Sequence, residues 1–149
     1  MRKIVYTRPD GGLSIVVPCI GTKEDLTEAE AEARAYAMLP PDAGNPRWAK
    51  DDEFPADRTF RDAWTDTGTV SVDMPKAREI HREKLRQLRA PKLAAEDTAF
   101  MRAIEADDKA EAARVALRKK ALRDVTDDPR IDAAKTPDEL KAAIPEALR

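Results

Sequence analysis

The chain has 149 residues, of which 42% are hydrophobic and 38% are charged, and its net charge at pH 7 is −2. This length suits one domain with its own core, and the balanced charge excludes a general polyanion binder. The single cysteine, Cys19, excludes an intramolecular disulfide, and without a membrane-spanning apolar run or a secretory signal pattern the sequence predicts a soluble, cytoplasmic protein.

Residue usage changes near Asp73. All five glycines and both tryptophans precede Met74, whereas the later residues are rich in Ala, Leu, Lys, Arg and Glu. Residues 1–73 contain 9 Lys/Arg and 14 Asp/Glu, and residues 74–149 contain 18 and 15. We therefore predict an α+β fold, with a small β-hairpin region over residues 1–73 and a helical hairpin with C-terminal helices over residues 74–149. The opposite charges of the two regions would favour head-to-tail contact between copies.

Two β-hairpins are predicted in the first region. Lys3–Thr7 and Leu13–Val17 are β-branched and aromatic runs on either side of the turn sequence PDGG at residues 9–12. Thr59–Trp64 and Thr69–Val72 form a second pair of short strands around another turn. Because an isolated two-stranded hairpin is marginally stable, we expect the second hairpin to pair with the first.

One helix is predicted between the hairpins, over Thr27–Leu39. Its first residue is followed by Glu30 at the spacing of a capping box, in which each side chain accepts the other residue's backbone N–H. Pro41–Asp57 is predicted to be a loop, and the aromatic side chains of Trp48 and Phe54 are expected to attach it to the body of the region.

The longest predicted element is a helix that begins at Met74, with Pro75 in its first turn. Pro91 interrupts its apolar pattern, and we expect a kink there rather than a break, because no Gly, Asn or Ser flanks the site. The apolar positions of this helix recur at helical spacing, at Ala77, Ile80, His81, Leu85, Leu88, Ala95, Ala99, Phe100 and Ile104.

A return helix is predicted to run to Asp124 with Asp107 or Asp108 as its cap, and Asp108 with Glu111 three residues later matches a helix cap. The stripe expected to face the first long helix consists of small or apolar residues, namely Ala110, Ala113, Leu117 and Ala121. Two further short helices are predicted to open at Asp128-Pro129 and at Thr136-Pro137, where a capping side chain precedes a first-turn proline.

No group of residues in the sequence matches a catalytic, cofactor-binding or metal-binding pattern. His81 is the only histidine, which excludes a histidine pair for a metal and leaves Cys19 without a nearby base. The acidic clusters at residues 51–53 and 124–128 lack the alternating ligands and the glycine of a calcium loop, and residues 11–12 do not belong to a phosphate-binding loop. We therefore expect no enzyme activity, no cofactor and no metal.

The strongest charged feature is the run from Lys76 to Lys92, which has seven Lys/Arg and two Glu. Three interpretations are open: a solvated helix face, a surface for an acidic protein, or a nucleic-acid contact, which the interleaved acids disfavour. The apolar stripes have two possible interpretations. They form intramolecular core, or they dock to a partner or to a second copy. The candidate partner-contact residues are Arg78, Arg82, Arg86, Arg89, Trp48 and Phe54.

Three stretches carry a family resemblance. They are KIVYTRPDGG at residues 3–12, DRTFRDAW at residues 57–64, and VDMPKAREIHREKLRQLRAPKLAAEDTAFMRAIEADD at residues 72–108, followed by KALRDVTDDPRIDAAKTPDELKAAIP at residues 120–145. Together they resemble a largely uncharacterised family of small proteins encoded in phages and prophages of alphaproteobacteria, often near tail genes. The resemblance covers most of the chain apart from residues 21–52, and it implies no catalytic residues.

The expected function is that of a phage structural, tail-associated or assembly protein that acts through protein–protein contacts, without catalysis. Its expected partners are other phage structural proteins or further copies of itself, in the virion or in the host cytoplasm during assembly. The alternative is a small phage-encoded inhibitor or regulator of a host protein complex, for which the acidic residues 51–53 and an exposed Trp48 would be suited. A membrane partner is not expected, and nucleic acid is disfavoured.

Overall fold

The computed structural model describes residues 2–20 and 26–149. The chain divides into two compact units, Met1–Asp73 and Met74–Arg149, which we call the first unit and the second unit. Among the described residues, the first unit contains the strands and one α-helix, and the second unit is helical. This architecture confirms the predicted α+β class.

A three-stranded antiparallel sheet forms the centre of the first unit. Strand β1 (Lys3–Thr7) lies between β2 (Leu13–Val16) and β3 (Gly44–Ala49). The predicted hairpin of β1 and β2 is confirmed. Its turn places Gly11 at φ +77°, a backbone conformation that a residue with a side chain adopts only with strain.

Strand β3 corrects the prediction of a loop over Pro41–Asp57. It pairs with β1 in antiparallel register, with Trp48 opposite Ile4 and an irregularity after Val5. In the sequence, Pro46 pointed to a loop because proline cannot donate a backbone hydrogen bond. A proline is tolerated here because β3 lies at the edge of the sheet and its pairing is irregular.

The second hairpin is shorter than predicted and lies in a separate sheet. Strand β4 (Trp64–Asp66) follows a 3₁₀ turn at Arg61–Ala63 and, among the described strands, pairs only with β5 (Val70–Val72). The expectation that this hairpin would hydrogen-bond to the first one is therefore wrong. Apolar packing joins the two sheets instead, because one buried cluster contains Val5, Ala49, Trp64 and Val70.

Helix α1 (Glu28–Ala37) packs on the face of the three-stranded sheet that Trp48 occupies, where the ring centres of Tyr36 and Trp48 are 6.1 Å apart. Its predicted capping box is confirmed. The Glu30 N–H donates to the Thr27 hydroxyl at 3.3 Å, and the Glu30 carboxylate accepts the Thr27 N–H at 2.9 Å. The helix begins where the sequence predicts, because its start signal is local.

Arg47 of β3 connects the two sheets of the first unit through charged hydrogen bonds. Its guanidinium donates to both carboxylate oxygens of Asp66, at 2.8 and 2.9 Å, and to Glu53 at 2.7 Å. The Arg47 hydrogen bonds lower the pKa of the Asp66 carboxyl. The Lys50 N–H, together with Arg47, lowers the pKa of Glu53. The hydrogen bonds that Arg47 makes to Asp66 and Glu53 raise the pKa of Arg47 itself.

A helical hairpin dominates the second unit. Helix α2 (Met74–Glu105) begins at the predicted residue and, as expected, continues through Pro91 instead of ending there. Helix α3 (Lys109–Arg123) returns along it, and the Asp108 carboxylate accepts the Glu111 N–H at 2.9 Å as the predicted cap. Caps of this kind satisfy backbone donors that have no partner inside the helix.

Two short helices, α4 (Pro129–Ala133) and α5 (Pro137–Ala142), complete the second unit and begin at the predicted positions. The side chains of Asp128 and Thr136 each accept an N–H from the first turn. The buried side chains of this unit include Ala77, His81, Leu85, Ala103, Ala112, Val115, Leu122, Val125, Ile131, Ala134, Leu140 and Ala143. Several of them follow α3, so the C-terminal segments supply much of the core.

Pro91 lies exposed in the interior of α2, and Pro91→Ala is expected to stabilise the second unit. The alanine restores a missing backbone donor and removes a steric clash, a gain of up to about 3 kcal/mol in the free energy of unfolding. Urea unfolding followed by helical circular dichroism measures it. Ala90→Gly at the neighbouring exposed position is the control, and it should lower stability by about 1 kcal/mol. Unchanged or lower stability of Pro91→Ala would contradict the prediction.

Candidate protein-binding surface

Charged side chains join α2 and α3. The Arg118 Nε lies 2.9 and 3.1 Å from the two carboxylate oxygens of Glu96, and the Lys119 Nζ lies 2.6 Å from an oxygen of Asp97. Lys119 also lies 4.9 Å from the centre of the Phe100 ring, which is a cation–π contact. These contacts show which side of α3 lies against α2.

The face of α3 that packs on α2 is not the predicted one. Ala112, Val115 and Leu122 are buried, whereas Leu117 is 69% exposed. The whole predicted stripe, Ala110, Ala113, Leu117 and Ala121, faces solvent. Val115 and Leu122 lie two turns apart on one side of α3, so that side buries two branched apolar side chains, whereas the predicted stripe offers only Leu117 besides alanines. The prediction was wrong for this physical reason, and the stripe is an exposed apolar line.

An open groove of about 500 Å³ lies beside this stripe. Its walls come from α2, α3 and the 3₁₀ turn Glu146–Leu148, and its residues are Lys92, Ala95, Glu96, Arg118, Ala121, Leu122, Glu146 and Ala147. Alanines from all three elements leave the space open because a methyl group fills little volume. Ala121 belongs to both features, and we call the stripe and the groove together the α3 surface.

Helix α3, which carries the stripe and one wall of the groove, is basic, whereas the charges of the groove lining itself balance, with Lys92 and Arg118 against Glu96 and Glu146. Helix α3 contains six Lys/Arg and one Glu, a net charge of +5. Hydrogen bonds from Arg114 and Arg118 lower the pKa of that Glu111 carboxyl, and hydrogen bonds to Glu96 and Glu111 raise the pKa of Arg118. The carboxylates of Glu96 and Glu111 are therefore already paired with arginines. The excess positive charge would attract an acidic partner and repel a basic one.

Arg78 and Arg89, two of the predicted partner-contact residues, hold the C-terminal segments of the second unit. Arg78 donates to the carbonyl oxygen of Ala134 at 2.9 Å, and Arg89 donates to that of Arg123 at 2.6 Å. Both carbonyls lie where helices end, at positions that have no donor inside the helix. These guanidinium groups therefore support the fold, and a partner contact by either one stays a prediction.

Arg82 and Arg86, the other two predicted arginines, differ in how far they are engaged. Arg82 donates to the Thr126 carbonyl oxygen at 3.3 Å and to the Asp132 carboxylate at 2.6 Å, and the Asp132 bond raises the pKa of Arg82. Arg86 is exposed, and within the described chain its side chain donates only to Glu83, at 3.1 Å. Arg86 is consequently the most accessible of the four.

Trp48 and Phe54, the remaining candidates, lie in the first unit and are half-buried. The Arg2 guanidinium lies 4.7 Å from the centre of a Trp48 ring, and Tyr36 packs on its side. The Phe54 ring lies 6.2 Å from that of Trp64. Their expected attachment to the body of the region is confirmed, whereas the expectation of an exposed Trp48 is wrong.

The residues considered for chemistry lie apart from the α3 surface. His81 is buried, with its Nε2 3.0 Å from the Ala143 carbonyl oxygen, and Cys19 is exposed in the first unit. In residues 2–20 and 26–149, no group of three or more His, Cys, Asp or Glu side chains is placed to hold a metal ion. Each helix within those same ranges is too short or too polar to span a lipid bilayer.

Sequence reasoning missed the groove, because its residues come from three elements up to 55 positions apart. The sequence does contain one indication of the groove. Glu96 on α2 and Arg118 on α3 are charged, although they stand where the side of each helix that faces the other would be expected to be apolar. Such a pair indicates that the helices meet there through an ion pair at the solvent boundary. No family model, no curated protein and no solved structure matches this chain.

Proposed function

We propose that this chain is a structural or assembly protein that acts through protein–protein contacts, and that the α3 surface is its contact site. The observation that supports the proposal is the exposed apolar line on α3 beside an open groove. A contiguous apolar surface with a polar rim is typical of interaction sites, and a groove between helices is typical of sites that accept a partner helix.

The net positive charge of helix α3 argues for an acidic occupant of the α3 surface. Two α3 helices packed on each other would bring two net charges of +5 together, so a symmetric contact through α3 is disfavoured. The first unit has a net charge of −5, from 9 Lys/Arg and 14 Asp/Glu. We therefore propose that the first unit of a second copy docks on the α3 surface. Such head-to-tail contact builds rings or filaments, which are the forms of many structural assemblies.

The phage setting of this proposal rests on the resemblance of residues 3–12, 57–64, 72–108 and 120–145 to small phage and prophage proteins. In that setting the protein is tail-associated or an assembly component. It resides in the virion, or in the host cytoplasm while particles are built. Other phage structural proteins with acidic surfaces are its further proposed partners.

Leu117→Glu is expected to abolish self-association. The wild-type chain should show a mass that rises with concentration and falls with added salt, because the contact joins opposite charges. The variant should stay a monomer, since it replaces an apolar side chain in the contact by a carboxylate that repels the acidic first unit of the second copy. Light scattering behind a sizing column, over a range of protein and salt concentrations, measures the mass.

Ala116→Glu is the matched control, because it adds the same charge at an exposed α3 position outside the stripe. This variant should retain the wild-type mass. A wild-type chain that is a monomer at every concentration would contradict head-to-tail self-association, and it would favour the host-directed regulator. Equal loss of mass in both variants would place the contact elsewhere.

A further inference from the structure

A small cavity of about 100 Å³ in the first unit gathers three cations around an aromatic wall. Lys3, Arg58 and Arg61 supply the charge and Phe54 and Trp64 supply the rings. Ile15 of β2 and Val17, directly after that strand, complete the lining. Positive charge is concentrated here although the unit as a whole is acidic. Asp51 already neutralises Lys3, so the two exposed arginines are the cations that make the cavity a candidate anion site.

The two arginines are available for a ligand. Lys3 lies 2.8 Å from the Asp51 carboxylate and 5.5 Å from the centre of the Phe54 ring. The guanidinium groups of Arg58 and Arg61, by contrast, make no hydrogen bond or ion pair within residues 2–20 and 26–149. This contrasts with Arg47 in the same unit, whose donors are engaged by two carboxylates.

The backbone places both arginines at one site. The Arg61 N–H donates to the Arg58 carbonyl oxygen at 3.1 Å, which closes a tight turn. Both arginine side chains line the same small cavity. Two guanidinium groups on one short turn can therefore donate to the two oxygens of a single anion, the geometry that favours bidentate recognition.

Trp64 provides a second, independent observation. Its side chain lines the cavity and is only 2% exposed, and its Nε1–H is buried without an acceptor among the described residues. A buried donor without a partner is uncommon in folded proteins, because it loses its hydrogen bonds to water. Trp64 therefore carries a donor without an internal acceptor on a side chain that lines the cavity.

We propose that the cavity binds one carboxylate group carried on a short aliphatic stem. Its volume is too small for a helix or a peptide segment and is suited to one side chain or small acid. Its aromatic and aliphatic walls match a methylene stem, whereas the strongly hydrated oxygens of a phosphate would face apolar walls without hydrogen bonds. The carboxylate comes from a free short-chain acid or from an acidic side chain of a protein. This inference does not depend on the assembly role of the α3 surface.

Titration of the ¹⁵N-labelled full chain tests the site by NMR. The probes are butyrate, glutamate capped as acetyl-glutamate N-methylamide, inorganic phosphate, and sodium chloride at matched ionic strength. Butyrate should move the Trp64 indole signal in a saturable way and leave the Trp48 indole unmoved. Trp48→Phe assigns the two signals. Tighter binding of the capped glutamate than of butyrate identifies a protein side chain as the source, and the reverse order identifies a free acid.

Arg58→Gln combined with Arg61→Gln should weaken butyrate binding at least about tenfold, because each removes a charge-assisted hydrogen bond. Arg102→Gln is the control, since Arg102 is an exposed arginine of α2 outside this unit. It should leave the binding curve unchanged. The proposal is overturned if the Trp64 signal does not move, if it moves equally in the double variant, or if chloride or phosphate moves it as strongly as butyrate.

Discussion

Arg47→Met is expected to lower the free energy of unfolding of the first unit by about 3 kcal/mol. Arg47 connects β3 to the second sheet through both oxygens of Asp66, whose side chain is only 8% exposed. Methionine preserves most of the side-chain length but removes the donors, so the Asp66 charge stays largely buried without its main partner. Removing one member of such a pair costs more than the pair contributes, because the other member remains desolvated.

Tryptophan fluorescence reports this change selectively, since both tryptophans lie in the first unit. Chemical unfolding followed by fluorescence gives the stability of that unit, and helical circular dichroism follows mainly the second unit. Arg8→Met is the control. Arg8 is exposed and pairs with Asp10 at 3.1 Å, and loss of an exposed pair changes stability by less than about 1 kcal/mol. Similar losses in both variants would contradict the special role of Arg47.

The same variant should change how stability depends on pH. The folded-state pKa values of Asp66 and Glu53 are lowered, so their contribution is full above the unfolded-state pKa of about 4. It is lost as the pH falls through the lowered folded-state values. The wild-type first unit should therefore lose stability below about pH 4, and Arg47→Met should show a flatter acid limb. If the free energy of unfolding falls equally steeply with decreasing pH in the wild type and in Arg47→Met, the pH dependence comes from other carboxylates.

Leu85→Ala is expected to destabilise the second unit by about 3 kcal/mol. Leu85 is 1% exposed and lies in the part of α2 that the C-terminal segments cover. Its truncation removes buried apolar area and leaves a cavity that the surrounding side chains fill only in part. Unfolding followed by helical circular dichroism measures the loss.

Leu88→Ala supplies the matched comparison, because the two leucines lie three residues apart on one helix. Leu88 is 55% exposed, so its truncation should change the free energy of unfolding by less than about 0.5 kcal/mol. The apolar pattern of the sequence placed both leucines on one inward stripe, and the structure separates them. Equal costs for the two variants would mean that Leu88 is covered in solution, and self-association through this part of α2 would then be the first explanation to test.

The features that could be predicted are those that depend on neighbouring residues. Thr27 with Glu30, Asp108 with Glu111, and Thr136 with Pro137 fix helix starts within a few positions, and all three starts are confirmed. The β1–β2 turn is equally local. The features that could not be predicted depend on contacts between residues far apart in the sequence. Strand β3 forms because it pairs with β1, which lies about 40 residues earlier in the sequence. The pattern of residues 44–49 alone does not predict this pairing.

The α3 surface illustrates the limit most clearly. An alanine-rich helix presents two possible inward faces, and the choice between Leu117 and the pair Val115 and Leu122 depends on contacts with α2. The arginines of α2 show the same dependence. Their carbonyl acceptors lie 34 to 56 residues away, so the basic run alone could not distinguish a support for the fold from a surface for a partner.

The separation of contacts along the second unit also has a kinetic consequence. The Arg118–Glu96 pair closes a loop of 22 residues, whereas the contacts of Arg82 with Thr126, Arg78 with Ala134 and His81 with Ala143 close loops of 44, 56 and 62 residues. Shorter loops lose less chain entropy on closure and form faster. During refolding, amides near the α2–α3 connection should therefore gain protection from hydrogen exchange first. Those of α4 and α5 should follow, once the first half of α2 offers them a surface.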